Sequence, residues 1–177
     1  MLVQNGAMRE FVPLRIAVLT VSDTRTAADD RSGDALVECV VNAGHTLAAR
    51  GLVRDDVAVI EASLRGWIAD AGVDVIVSTG GTGITGRDVT PEAFARVMEK
   101  EIAGFGELFR RLSYDRVGTS AMLSRAVGGV ADGKFLFALP GSTGAVRDAW
   151  NGILQYQLDS RHAPCNLVDL MPRLRER

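Results

Sequence analysis

Histidine and cysteine are scarce, with two of each among 177 residues. Cys39 and Cys165 lie far apart in no metal-type spacing, and neither His45 nor His162 sits in a ligand motif, so a zinc centre is not expected. Both cysteines read as free thiols of a reducing compartment. Charge of one sign is also lacking. A net charge of −2 gives no general pull toward nucleic acid or an anionic membrane, although it leaves room for a local basic pocket. No apolar stretch is long enough to span a bilayer. The first dozen residues carry Arg9 and Glu10 but no apolar signal-peptide core, so a cytoplasmic chain is the expectation. There is no internal repeat, no Walker A lysine after the glycine cluster, no nucleophile elbow and no suggested Cys–His pair. Any chemistry would then rest on electrostatic positioning, not on a covalent intermediate.

What is present is 47% hydrophobic and 24% charged, enough apolar material for one domain with a real core. Residues 1–13 read as a loose leader, 14–162 as the domain and 163–177, with Pro164 and Pro172, as a tail. β-branched runs predict strands over Leu14–Ser22, Thr46–Asp56 and Val73–Thr79. Between them, Asp34–Gly44 has helical spacing and ends on a glycine, and Val57–Gly72 places Ile60, Leu64, Trp67 and Ile68 on one helical face. Asp23–Asp34 reads as a long polar loop. Thr90 followed by Pro91 reads as an N-cap with proline at the first helical position. "EIAGFGE" reads as a loop, "TSAMLSRAV" as a short helix, and Gly128–Pro140 as a hairpin turned at Asp132-Gly133 or a loop into a strand. Ser142 opens a long closing helix. Strand–helix alternation of this kind implies an α/β fold with a mostly parallel sheet covered on both faces.

In such sheets ligands bind beyond the carboxyl ends of the strands. Four segments should meet there: Ser22-Asp23, the acidic turn Asp55-Asp56, Gly80–Asp88 and Pro140-Gly141-Ser142. "TGGTGITGRD" lets backbone N–H groups approach an anion closely, and Thr79, Thr82 and Thr85 add hydroxyls. A tight strand-to-helix turn would use the same glycines. A carboxylate beside a phosphate cradle needs a bridging cation, and Mg²⁺ on Asp88 supplies one; a helix-start carboxylate is the other reading of Asp88. Asp55 is either a second metal carboxylate or part of a solvated turn. Glu107 and the 140–142 turn have the same two readings, ligand-facing or local. Arg125, next to Ser124, could clamp phosphate or pair with an acid.

Taken together and in order, "LTVSDTR", "LVRDD", "STGGTGITGRDVTPEAF", "GFGELFRRLS", "GTSAMLSRAVGG" and "FALPGSTGAVRDAW" resemble the MoaB/Mog family of molybdenum cofactor biosynthesis over Leu14 to Asn166. The leader and tail are more similar to the MoaB branch. Arg54-Asp55-Asp56 stands where Mog-type chains commonly read Pro-Asp-Glu. The resemblance implies a three-layer α/β/α sandwich, the molybdopterin-binding fold. It implies Mg²⁺-dependent adenylyl transfer from ATP to molybdopterin, giving adenylated molybdopterin and pyrophosphate. The alternative is a non-catalytic protein that binds or carries molybdopterin or its precursor. By motif, Asp88 and Asp55 match the family's catalytic, metal-linked aspartates. Gly80, Gly81, Thr82 and Gly83, with Thr79 before them, match its phosphate loop. Ser22, Asp23, Glu107, Ser124, Pro140, Gly141 and Ser142 match its pocket rim. The resemblance also implies a homo-oligomer, trimer or hexamer, and a molybdenum-insertion protein as a partner.

Overall fold

The structure, a computed structural model, describes residues 9–176. Most of the expected leader, Met1–Met8, and the last residue of the tail lie outside the described residues. Strand β1 (Arg15–Val21) leads to α1 (Arg31–Asn42), β2 (Thr46–Val53), α2 (Val57–Ala69) and β3 (Val75–Thr79). Helix α3 (Thr90–Val97), the short β4 (Lys100–Glu101) and α4 (Ala103–Val117) follow. A 3₁₀ turn (Gly118–Leu123), the hairpin β5 (Val127–Ala131) and β6 (Lys134–Leu139), and α5 (Thr143–Ala149) complete the sandwich. The sheet order is β2-β1-β3-β6-β5-β4. The first four strands in that order run parallel, and β5 is antiparallel to both β6 and β4.

The alternation of side chains along each strand builds two cores. Ile16, Val18, Val75, Val77, Phe135 and Phe137 face α1, α4 and α5, with Leu36, Phe105, Phe109, Val146 and Trp150 packed over them. Ala17, Leu19, Ile76, Leu136 and Ala138 face α2 and α3 through Ile60, Leu64, Ala93 and Phe94. The three-layer α/β/α sandwich expected from the sequence is the observed one. The hairpin alternative holds at Gly128–Pro140, because Asp132 and Gly133 take φ of 43° and 76°, the left-handed pair a two-residue turn needs.

Several boundaries differ, each for a local reason. Helix α1 begins at Arg31, three residues before the expected start, because the Asp30 carboxylate caps it by accepting from the Gly33 amide at 2.9 Å. Thr90 is already helical and Pro91 lies second, while the Thr90 hydroxyl donates to the Gly80 carbonyl instead of capping. "EIAGFGE" is largely helix α4, since packing of Phe105 and Phe109 outweighs the low helix propensity of Gly104 and Gly106. "TSAMLSRAV" forms a 3₁₀ turn and then extends into β5. The closing helix passes through a π turn (Trp150–Leu154) into α6 (Gln155–Gln157), which keeps Trp150, Ile153 and Leu154 on the buried side. The described part of the tail includes α7 (Leu167–Leu170), capped by buried Asn166; Leu167, Val168, Met171 and Leu174 lie against the first core. Cys39 is buried and Cys165 exposed, both free, and His45 accepts from the Leu14 amide at 3.1 Å through Nδ1.

Candidate functional site

The parallel strands end together, so the loops after β1, β2, β3 and β6 meet on one rim. Ser22, which follows β1, donates its amide to the Val53 carbonyl at 2.8 Å, and its hydroxyl accepts from the Thr24 and Arg25 amides. That turn presents Asp23. One Asp23 oxygen accepts the Asp55 amide at 3.2 Å, and the other meets Arg87 Nη2 at 2.9 Å. The expected pair Asp55-Asp56 divides its labour: Asp56 caps α2 by accepting from the Val59 amide at 3.0 Å, while Asp55 faces the rim.

The glycine loop is tight because main chain passes close to main chain. Gly80 has φ of 106°, and a Cβ there would lie 2.1 Å from the Val21 carbonyl oxygen. Gly81 has φ of 64°, and a Cβ would lie 2.6 Å from Asp55 Oδ1. No other residue type fits either place. Thr79 is buried and donates to the Pro140 carbonyl at 2.9 Å, which ties this loop to the β6–α5 turn. Thr82 is buried as well. Thr79 therefore braces the loop through its hydroxyl. At its far end Asp88 Oδ2 accepts from both the amide and the hydroxyl of Thr85, at 2.9 and 2.6 Å.

A cavity of about 280 Å³ opens between these loops, bordered by Ser22, Asp23, Arg25, Asp55, Gly80, Gly81, Arg87, Asp88 and Gly141. Its electrostatics are uneven. Burial, with the charges of Asp23 and Asp88 behind it, pushes the Asp55 carboxyl above the usual carboxylate range. The Thr85 hydroxyl and amide pull Asp88 below that range. Three carboxylates share the cavity, with Arg87 set against Asp23. Among the described residues no group of three or more His, Cys, Asp or Glu side chains is arranged to hold a metal alone. The donors nevertheless suit Mg²⁺. Asp88 has one oxygen tied into its loop and one free of the Thr85 bonds, and Asp55 carries charge that its neighbours disfavour. One or two carboxylates completed by phosphate oxygens are how this ion is usually held.

A second cavity of about 320 Å³ lies on the other side of the 140–142 turn. Phe109, Ala121, Pro140 and Ala145 give it apolar walls, and Ser113, Ser120, Ser124 and Ser142 give it hydroxyls. Ser142 also caps α5 by accepting from the Ala145 amide at 3.2 Å. The rim residues thus fall into two groups. Ser22, Asp23, Asp55, Gly80, Gly81, Asp88 and Gly141 border the acidic cavity; Ser124, Pro140 and Ser142 border the hydroxyl-lined one. Thr79, Thr82 and Gly83 belong to the glycine loop and line neither cavity. Glu107 is exposed on α4 and borders neither. Arg25 is a site residue that the sequence reading passed over. It lines the acidic cavity and donates to the Gly141 carbonyl at 2.6 Å, joining the loops after β1 and β6. Its only signal was its place two residues after Asp23. Arg125 pairs with Glu92 and with loop carbonyls, so the acid-pairing reading of that residue is the observed one.

Residues 17–160 match a protein family described as "Probable molybdopterin binding domain". Molybdenum cofactor biosynthesis protein B of Escherichia coli (strain K12) is 47% identical over 157 residues, covering 89% of this chain and 92% of that one. A crystal structure of a molybdenum cofactor biosynthesis protein B has a TM-score of 0.85 at 40% identity, covering 96% of this chain and 100% of that one. The tungsten cofactor synthesizing protein MoaB from Pyrococcus furiosus has a TM-score of 0.76 at 32% identity, covering 93% and 98%.

Proposed function

We propose adenylyl transfer as the activity of this chain, which belongs to the MoaB/Mog family of molybdopterin-binding domains and has a role in molybdenum cofactor biosynthesis. ATP and molybdopterin are the substrates. An oxygen of the pterin's terminal phosphate attacks the α-phosphorus of ATP, the bond from that phosphorus to the β-phosphate oxygen breaks, and pyrophosphate leaves. The observation that carries this reading is one turn between two cavities: Gly141 borders the acidic cavity, and its neighbours Pro140 and Ser142 border the hydroxyl-lined one. The acidic cavity suits a metal-bound triphosphate. The other, with apolar walls and serine hydroxyls, suits a flat heterocycle rich in hydrogen-bonding groups.

The reaction brings two polyanions together, so alignment and charge neutralisation matter more than a nucleophilic side chain. Mg²⁺ on Asp88 and Asp55, when bound, would offset the charge developing on the phosphates. The main-chain amides of the glycine loop hold phosphate oxygens in place. Arg25 holds the β1 and β6 loops at a fixed separation. Arg87, which lines the cavity and pairs with Asp23, is the cation placed to neutralise the leaving pyrophosphate. The test is a direct assay of purified protein with molybdopterin, ATP and Mg²⁺. Many turnovers of adenylated pterin and pyrophosphate are expected; bound pterin with no product would assign the chain a carrier role instead.

A homo-oligomer is part of the same proposal. Tyr114, Val117, Met122 and Leu123 are large apolar or aromatic residues exposed along α4 and the 3₁₀ turn, beside the hydroxyl-lined cavity. Sedimentation at micromolar concentration should show a trimer or hexamer, and a monomer alone would remove this part. No helix among the described residues is long and apolar enough to cross a membrane.

A further inference from the structure

Residues Gly83–Asp88 form a segment with little to pack against. Ile84 is 65% exposed, and a Cβ at Gly86 would meet nothing within 4 Å. Within the segment the hydrogen bonds are those of the Thr85–Asp88 turn, including the Asp88 amide to the Thr85 carbonyl at 3.1 Å, and one from the Gly83 amide to the Asp88 carboxylate. Apart from the Arg87–Asp23 ion pair at 2.9 Å, its remaining anchors among the described residues come from one residue distant in sequence. The Arg125 amide donates to the Thr82 carbonyl at 2.9 Å, its Nε to the Gly83 carbonyl at 2.7 Å, and its Nη2 to the Asp88 carbonyl at 2.6 Å. Its Nη1 pairs with the Glu92 carboxylate on α3. The guanidinium therefore grips the segment near both ends and fastens it to the helix that follows.

We infer that Arg125 is the positioning residue of the acidic cavity: it holds Gly83–Asp88 closed and so sets which oxygen of Asp88 faces the ligand. The inference rests on the reading of that cavity as a metal and phosphate site. Arg125 itself does not border the cavity. It acts through Asp88, whose carbonyl it holds while the Thr85 turn occupies one carboxylate oxygen. Arginine is required because its planar fork reaches two separate carbonyls and a carboxylate at once; a lysine ammonium keeps the charge but is a compact donor that cannot span them.

The test uses Mn²⁺ as the probe, with and without ATP, read by electron paramagnetic resonance on the full chain. Amide hydrogen exchange of residues 83–88 is measured on the same proteins. Arg125→Lys and Arg125→Gln should each weaken Mn²⁺ binding about tenfold or more, the usual effect of losing an outer support of a metal ligand. Both should also speed exchange at 83–88 while α3 stays protected. Glu92→Gln removes the charge partner but none of the carbonyl bonds, so Mn²⁺ affinity should change by less than about fivefold. Should Arg125→Gln fail to fold, Arg125→Lys decides. Parent-like Mn²⁺ affinity and parent-like exchange in Arg125→Lys would overturn the inference. If the parent protein binds no Mn²⁺ under either condition, the metal reading of the cavity is what fails. Exchange then judges the clamp alone: acceleration confined to 83–88 supports it, and unchanged exchange overturns it.

Discussion

At the amino-terminal end of the sheet, Asp74 accepts from the Arg15 amide, Nε and Nη2 at 2.8, 2.9 and 2.6 Å. Beside it the buried Lys134 ammonium donates to the Val73 carbonyl and, at 2.7 Å, to that of Asp70. At the carboxyl end, Asp55 forms no ion pair among the described residues and shares a cavity with Asp23 and Asp88. Burial acts on all three charges, Lys134 being buried and Asp74 and Asp55 half-buried. At the amino end the bonds and charge of Arg15 outweigh its effect on Asp74, whose carboxyl lies below the ordinary range. At the carboxyl end burial and like charge add, and Asp55 lies above it. One end is built for folding. The other gathers three carboxylates around one cavity, where Arg87 is paired with Asp23, and that crowding is why it reads as the site.

The largest effect should come from breaking the carboxyl end. Asp88→Asn or Asp55→Asn should lower adenylated-pterin formation by about a hundredfold or more, since metal-supplied charge stabilisation is worth several kcal/mol. A full rate with an unchanged Mg²⁺ requirement in Asp88→Asn would remove its metal role. Next in size is Lys134→Met at the other end. It strands two carbonyls that now receive charged donors, so urea denaturation should show a loss of about 2 kcal/mol with ligand binding intact.

A smaller effect sharpens the comparison by its sign. The Asp74 carboxyl is lowered on folding, so its stabilisation is present above its unfolded value of 3.8 and fades as pH falls through the folded value. Asp74→Asn should therefore lower the melting temperature at neutral pH and do so less at acid pH. The Asp55 carboxyl is raised on folding, so the native state holds the proton more tightly, and stability falls as pH rises from 3.8 through the folded value. Asp55→Asn should raise the melting temperature at neutral pH, and the gain should disappear in acid. Matching pH trends in the two variants would contradict the contrast. The smallest effect belongs to Ser78 on β3, whose buried hydroxyl is the unpartnered side-chain atom among the described residues. Ser78→Ala should be neutral or stabilising by at most about 1 kcal/mol, measured by thermal melting.

Much of this molecule was legible in the linear order of residues. The β-branched runs at 14–22 and 73–79 became central strands because a run apolar on both faces has no stable place except inside a sheet covered twice. Gly80 and Gly81 announced a close backbone approach, and the structure puts the Val21 carbonyl and the Asp55 carboxylate where their side chains would be. The misreadings share a cause. Thr90 looked like a cap, but its hydroxyl had a better acceptor ten residues back. Gly104 and Gly106 looked like a loop, but Phe105 and Phe109 had a core to enter.

The sequence by itself determined a mostly parallel sheet covered on both faces and the loops at its carboxyl rim, because periodicity and glycine placement are local constraints; it left β4 and α7 unmarked. Only the tertiary structure decided what each polar group does there. It set Asp56 to capping and Asp55 to the cavity, turned Thr79 inward to Pro140, and gave Arg125 to the glycine loop. A hydrogen-bond partner forty residues away leaves no periodic trace in the chain; it exists only once the sheet has brought the loops together.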